Sequence, residues 1–156
     1  MPPPGDIAAL QSRAWWDTLS LSITDRFIAR QLLTVLDQLT TLIQAAEREL
    51  AHLSVSERWC APVACLLQLP GVSMLGAMTI LGAIGDITRF PTAKKLVGYS
   101  GLGTRVYSSG QKNYSGGITK AGRKELRTAL IEAAWVAVNY DPFWQRRFDA
   151  LAQRRG

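Results

Sequence analysis

The 156-residue sequence predicts a mainly α protein, a long coiled-coil-like helical arm followed by a compact helical domain with helix–hairpin–helix-like elements and one short irregular or β loop. Three observations predict it. Apolar residues recur at steps of four and three from Ile28 to Ala46, and Leu50 and Leu53 carry the stripe on. A Pro70-Gly71 turn separates two apolar, helix-like runs. A helical period returns from Leu126 to Val138, after a Gly- and Ser-rich stretch that has none. The sequence contains no strand–glycine–helix unit of the dinucleotide or P-loop kind, and no repeat array.

Residues 1–21, with three prolines and the pair Trp15–Trp16, read as an irregular lead-in. The arm covers 22–68. It opens on "SITD", where Ser22 and Asp25 form a capping box that satisfies backbone amides at a helix start. Ile28, Leu32, Val35, Leu39, Leu42 and Ala46 then give a seam more than three heptads long, suited to self-association. The same stripe would serve a helix folded onto its own domain. Thr24, Thr34, Thr40 and Thr41 lower helix propensity, so packing along the seam has to supply most of the stability. "SVSERW" offers a second cap, Ser54 with Glu57, for a short helix through Cys65 and Leu67.

The compact domain covers 69–156. "LPGVSMLGAMTILGAIG" has the form of a helix–hairpin–helix element, in which a tight glycine turn at Gly71 brings amides at a helix N-terminus near a phosphate. Ser73 stands where such hairpins usually carry glycine, and Pro-Gly turns also serve merely as linkers. "DITRFPTAKKLVGYSGL" reads as a turn, a helix opened by Pro91 and running through Val97, and a glycine-rich exit, with Phe90 stapling it to the core. β character is expected around Arg105–Tyr107. The helix of "ITKAGRKELRTALIEAAWVAVNY" presents Leu126, Ala129, Leu130, Ala133, Ala134, Ala137 and Val138 on one face; Asp141-Pro142 ends it, and a last basic helix spans Phe143 to Gln153.

Charge is divided unevenly. Five cations face eight acids up to Thr88, a net of −3, whereas thirteen cations face four acids from Arg89 onward, a net of +9. Such an asymmetry points to nucleic acid, although a solvated basic surface gives the same tally. Cys60 and Cys65 fit neither CxxC nor a zinc spacing, and the single His52 cannot complete a site, so both thiols are expected in the core, reduced, and no metal or cofactor is expected in this chain. The N-terminus lacks a signal peptide and the longest apolar run is too short to span a bilayer, so a cytoplasmic protein without a membrane partner is expected.

His52 lies far in sequence from any candidate serine, which argues against a Ser-His-Asp triad. Asp86 is the one acid between Gly71 and Lys124, which leaves a two-metal nuclease without its carboxylates. What remains is "RVYSSGQKNYSGGITKAGRKELR". It sets Ser108 and Ser109 beside Gly110 and among Arg105, Lys112, Lys120, Arg123, Lys124 and Arg127. A serine hydroxyl can attack a phosphodiester if cations neutralise the phosphate and a base takes the proton. The same loop can equally bind phosphate with no chemistry, and the residues themselves do not choose between the two serines.

In order and at similar spacing, "LPGV", "GDITRF", "GYSGL", the Ser-Gly loop and "GGITKAGRKELRTALIEAA" resemble the C-terminal domain of the insertion sequence 110/116/902 family of transposases, from Leu69 to about Pro142. The helical arm ahead of it also fits that family. The resemblance implies DNA recombination in which a serine before the Gly of the loop, here Ser109 with Ser108 its neighbour, becomes covalently linked to DNA. It implies DNA as partner and a structured guide RNA in some members, while the seam itself points to a homo-oligomer through the arm. It also implies Mg2+ held by four acidic residues of an N-terminal RuvC-like domain, which nothing before Trp15 matches. Taken alone, the chain is expected to bind nucleic acid without complete catalysis. The alternative is a stand-alone, non-catalytic helix–hairpin–helix module in which both serines only bond phosphates.

Overall fold

The computed structural model describes residues 8, 9, 12–109 and 112–155, with the side chains of 106–115 and 155 excepted. Seven α-helices and one two-stranded hairpin make up the described chain: α1 (Arg13–Thr18), α2 (Ile23–Ser54), α3 (Cys60–Leu67), α4 (Met74–Ile84), α5 (Ala93–Ser100), β1 (Thr104–Ser109), β2 (Lys112–Ile118), α6 (Lys124–Tyr140) and α7 (Pro142–Arg155). A 3-10 turn, Ile87–Arg89, links α4 to α5. The chain divides into two compact units, Met1–Glu49 and Leu50–Gly156.

In the first unit the capping box forms as the sequence predicts. The Asp25 amide donates to Ser22 Oγ at 3.1 Å and the Ser22 hydroxyl donates to Asp25 Oδ2 at 2.7 Å. The threonines that should weaken α2 turn their hydroxyls onto the carbonyls one turn back, Thr34 to Arg30, Thr40 to Leu36 and Thr41 to Asp37. The expected irregular lead-in contains a helix, α1, with Trp15 and Trp16 edge to face at 5.3 Å. It is tethered by side chains distant in sequence: Arg13 pairs with Asp37, Arg30 with Asp17 at 3.2 Å, and Arg26 donates to the Leu19 carbonyl at 2.8 Å. The apolar seam of α2 stays uncovered, with Leu32 and Leu42 about two-thirds exposed.

The second unit is built around α4. Ala77, Met78, Ile80, Ala83 and Ile84 are buried, and they divide the interior into two adjoining clusters. One joins Ile80, Ala83 and Ile84 to Leu126 and Ala129 of α6, with Phe90, Leu96 and Tyr99 packed on it. The other joins Ala77 and Met78 to Val63 of α3, with Leu50 and Trp59 alongside. Leu126 is 1% exposed; a leucine buried so fully contributes roughly 1.5–3 kcal/mol. Phe90 packs on the core as expected and its ring meets Tyr99 at 5.1 Å, with Arg89 lying 5.0 Å from both rings. Asp86 caps the 3-10 turn, accepting from the Thr88 amide at 2.9 Å and the Thr88 hydroxyl at 2.8 Å. Those two bonds, the amide's first, hold its carboxyl below the usual aspartate value, and Arg89 adds to them.

Three further expectations are corrected. Ser54 does not open a helix with Glu57. It ends α2, buried, with its hydroxyl on the Ala51 carbonyl at 2.7 Å, and α3 begins at Cys60 without a side-chain cap. Leu50 and Trp59 reach the same cluster, so core packing draws α2 past the local cap signal. Cys60 and Cys65 are free but exposed, because α3 buries only the narrow face carrying Val63 and Leu66. Ala134 of α6 is also exposed, beside the buried stripe of Leu126, Ala129 and Ala137. Among the described residues no helix is long and apolar enough to cross a membrane.

Candidate serine hairpin and cationic surface

The Ser-Gly segment forms an antiparallel ribbon. Tyr107 pairs with Tyr114, Ser108 with Asn113 and Ser109 with Lys112; between Val106↔Ser115 and Thr104↔Ile118 the register shifts by one residue. Ser108 and Ser109 thus hold adjacent register positions, which belong to opposite faces of a ribbon. Gly110, expected to turn the chain sharply, lies outside the described residues, and Lys112 is described by its backbone alone.

The two feet of the ribbon are bolted to the C-terminus of α5 and the start of α6. Thr119 donates its amide to Gly103 O at 2.8 Å and its hydroxyl to Gly101 O at 3.2 Å. The Lys120 amide reaches Gly101 O and the Arg123 amide reaches Tyr99 O, both at 3.0 Å. Arg105 Nη2 donates to Thr119 O at 3.1 Å. Arg127 Nη1, from the first turn of α6, donates to Ser100 O at 3.3 Å and Lys120 O at 3.1 Å. This junction explains the spacing between "GYSGL" and "KAGR". A Cβ on Gly122 would lie 2.3 Å from Tyr99 O and 2.6 Å from Gly101 N, so backbone approaches backbone where no side chain fits. Lys120 takes a left-handed conformation, φ 55°, to complete the crossing.

The five cations whose side chains are described therefore differ in what they do. Arg127 is partly buried and spends its donors on two carbonyls that helix and loop geometry leave without partners. Arg105 is exposed yet also bonds the backbone, and Arg123 lies 3.7 Å from Glu125 with both side chains more than half exposed. Lys120 and Lys124 are exposed, and among the described residues no acid pairs with them.

The Pro-Gly hairpin lies elsewhere on the unit. Gly71 (φ 84°) packs so closely on α6 that a Cβ would sit 2.1 Å from Ala133 O. Ser73 caps α4, its Oγ accepting from the Gly76 amide at 3.1 Å. Both line a cleft of about 580 Å3 that also holds Glu125 and Glu132, so an anion at this helix end would share the cleft with two carboxylates. Among the described residues no three His, Cys, Asp or Glu side chains gather closely enough to hold a metal ion. In the sequence, Arg127 and Arg123 are simply two of the cations. That they face carbonyls and a carboxylate was not visible in it, and the one hint was the pair of glycines, Gly101 and Gly122, flanking the loop.

The sequence is similar to transposase-named proteins of several bacteria. It is 38% identical over 97 residues to the protein y4qE of Sinorhizobium fredii, covering 59% of this chain and 25% of that one. It is 32% identical over 117 residues to the transposase for insertion sequence element IS1111A of Coxiella burnetii (70% and 30%), and 34% identical over 91 residues to the pilin gene-inverting protein of Moraxella bovis (57% and 28%). The chain thus spans roughly a quarter to a third of the length of these relatives. Residues 63–149, more than half of the sequence, match the family described as Transposase IS116/IS110/IS902, and the chain belongs to that family.

Proposed function

We propose that this chain is the DNA-binding, serine-bearing part of an insertion-sequence transposase, and that Ser109 is the nucleophile. The observation that carries the reading is the ribbon holding Ser108 and Ser109, anchored at both feet beside the cationic first turn of α6. Anchored feet fix where the ribbon leaves the domain, and positioning a nucleophile against its target supplies much of the advantage of an enzyme over a free alcohol. In the step proposed, the Ser109 oxygen bonds to phosphorus while one sugar–oxygen bond to that phosphorus breaks. The serine proton passes to a base and the departing sugar oxygen takes up a proton. The phosphodiester energy is kept in a phosphoserine ester, which a sugar hydroxyl can later attack to rejoin the strand. Lys120, Lys124 and Arg123 supply the positive field for the backbone, with Arg105 and Lys112 in the strands of the ribbon itself. The described residues do not fit a divalent cation, so no step of this chain is drawn through Mg2+.

On this reading DNA is the partner, a guide RNA would share the basic surface, and the uncovered seam of α2 pairs with a second copy. The relative that inverts a pilin gene supports recombination as the reaction class. The test supplies a RuvC-like acidic domain and Mg2+ in trans and looks for a covalent protein–DNA adduct on a denaturing gel. Ser109→Ala should abolish the adduct and Ser108→Ala should retain it, while the chain alone should bind duplex and leave it uncut. Loss with Ser108→Ala only would move the nucleophile by one residue. No adduct in any combination, together with steeply salt-dependent binding, would favour the non-catalytic module.

A further inference from the structure

The last two helices carry a surface that the serine reading does not use. From 142 to 154 every residue of α7 is exposed, yet the helix bears Phe143, Trp144, Phe148 and Leu151. Phe143 remains 50% exposed, Trp144 40% and Phe148 43%, and Trp135 of α6, whose ring meets Phe148 at 5.8 Å, 56%. A surface helix normally turns such rings inward. Here they form an uncovered aromatic strip with arginines along one edge. Phe143, Arg147 and Arg154 follow one stripe of the helix (i, i+4, i+11), with Trp144, Phe148 and Leu151 on the next (i, i+4, i+7). Arg147 Cζ lies 5.5 Å from the Phe143 ring centre. Asp149, the one acid of α7, falls on the far side.

We infer that this α6–α7 face is a stacking platform for single-stranded nucleic acid. Rings alternating with guanidinium groups suit a ligand that presents flat π faces on a polyanionic backbone, and a single strand offers both while a duplex hides its base faces. Protein interfaces are also rich in Trp, Phe and Arg, so the charge decides: α7 carries Arg146, Arg147, Arg154 and Arg155 against the single acid Asp149, an excess that suits a polyanion. The surface goes beyond the serine reading and shares none of its residues, so each can fail alone.

The test measures binding of the full chain to twenty-nucleotide oligo(dT), oligo(rU) and a duplex of equal length by fluorescence anisotropy. Trp144→Leu with Phe148→Leu keeps the helix apolar while removing two π faces. It should weaken oligo(dT) binding by about tenfold or more while leaving duplex affinity within about twofold. Unchanged oligo(dT) affinity would overturn the proposal, as would a loss of self-association in sedimentation with single-strand binding intact, which would assign the face to a second copy. Oligo(rU) bound as well as oligo(dT) supports stacking that ignores the sugar, and binding of only one of them supports the platform and identifies its strand. Should the double variant misfold, ultraviolet crosslinking of an iodouracil-substituted strand to the wild-type chain decides instead. Adducts on the peptide carrying Phe143, Trp144 and Phe148 support the platform, and adducts confined to other peptides overturn it.

Discussion

Arg127 donates to the carbonyl of Ser100 at 3.3 Å, closing the C-terminal end of α5 from the first turn of α6. The same nitrogen reaches Lys120 O, so one guanidinium ties a helix end to the outgoing foot of the serine ribbon. Removing it leaves two carbonyls without that donor. Arg127→Ala should cost about 2–3 kcal/mol in a urea melt, and Arg127→Lys should recover only part, since a lysine is one atom shorter and its ammonium falls short of the place of Nη1. Lys124→Gln, in the same turn, should leave stability within about 0.5 kcal/mol and weaken duplex binding instead.

Gly122 and Gly117 make a matched pair for testing the junction. A methyl on Gly122 would press into Tyr99 O, whereas one on Gly117 would meet nothing within 4 Å. Gly122→Ala is expected to destabilise by about 2 kcal/mol or more, because backbone rather than a side-chain tip must move. Gly117→Ala should fall within about 0.5 kcal/mol of wild type. Thermal melts of the two variants side by side check both expectations.

Ser73 separates capping from phosphate binding. Its Oγ satisfies the Gly76 amide at the start of α4, so Ser73→Ala should cost about 1 kcal/mol. With Glu125 and Glu132 lining the same cleft, the substitution is expected to leave duplex affinity and its salt dependence unchanged. A shallower salt slope in Ser73→Ala, measured by anisotropy, would return the hairpin to the phosphate contacts.

Asp86 sets a pH dependence whose sign follows from its partners. The Thr88 amide and hydroxyl stabilise the carboxylate, lowering its pKa in the folded chain. The linked stability is therefore present above the ordinary aspartate value and is lost as pH falls through the lowered one. In a carbonyl NMR titration Asp86 should protonate below the ordinary aspartate value. Thr88→Val removes the hydroxyl and keeps the amide, and should move the midpoint only part of the way back.

What the sequence disclosed follows the range of each interaction. The Ser22–Asp25 box and the Asp141-Pro142 break are contained within a few residues, and both form as read; the Asp141 carboxylate even caps α7, accepting from the Phe143 amide at 2.8 Å. The β character around Arg105–Tyr107 was legible from composition and the absence of a helical period. The end of α2 was not, because Leu50 and Trp59 meet only in the folded core. Cys60 and Cys65 looked apolar by neighbourhood, but which side of α3 faces inward is decided by α4. For the candidate site, the motif string located the ribbon, whereas the division of cations between backbone carbonyls and solvent needed the contacts of residues up to twenty-seven positions apart.

The adjacent pairing of Ser108 with Asn113 and Ser109 with Lys112 has a consequence for how such a ribbon changes over time. Strand faces alternate with every residue, so a slip of one position in either strand exchanges which serine stands on a given side. The one-residue irregularity between Thr104 and Val106 then acts as a phase setting for the whole ribbon. Inserting or deleting a single residue beside it would retain both hydroxyls in the gene and trade their places in the molecule. A doubled serine thus makes the count of residues along the strand, as much as their identity, the heritable variable at this surface.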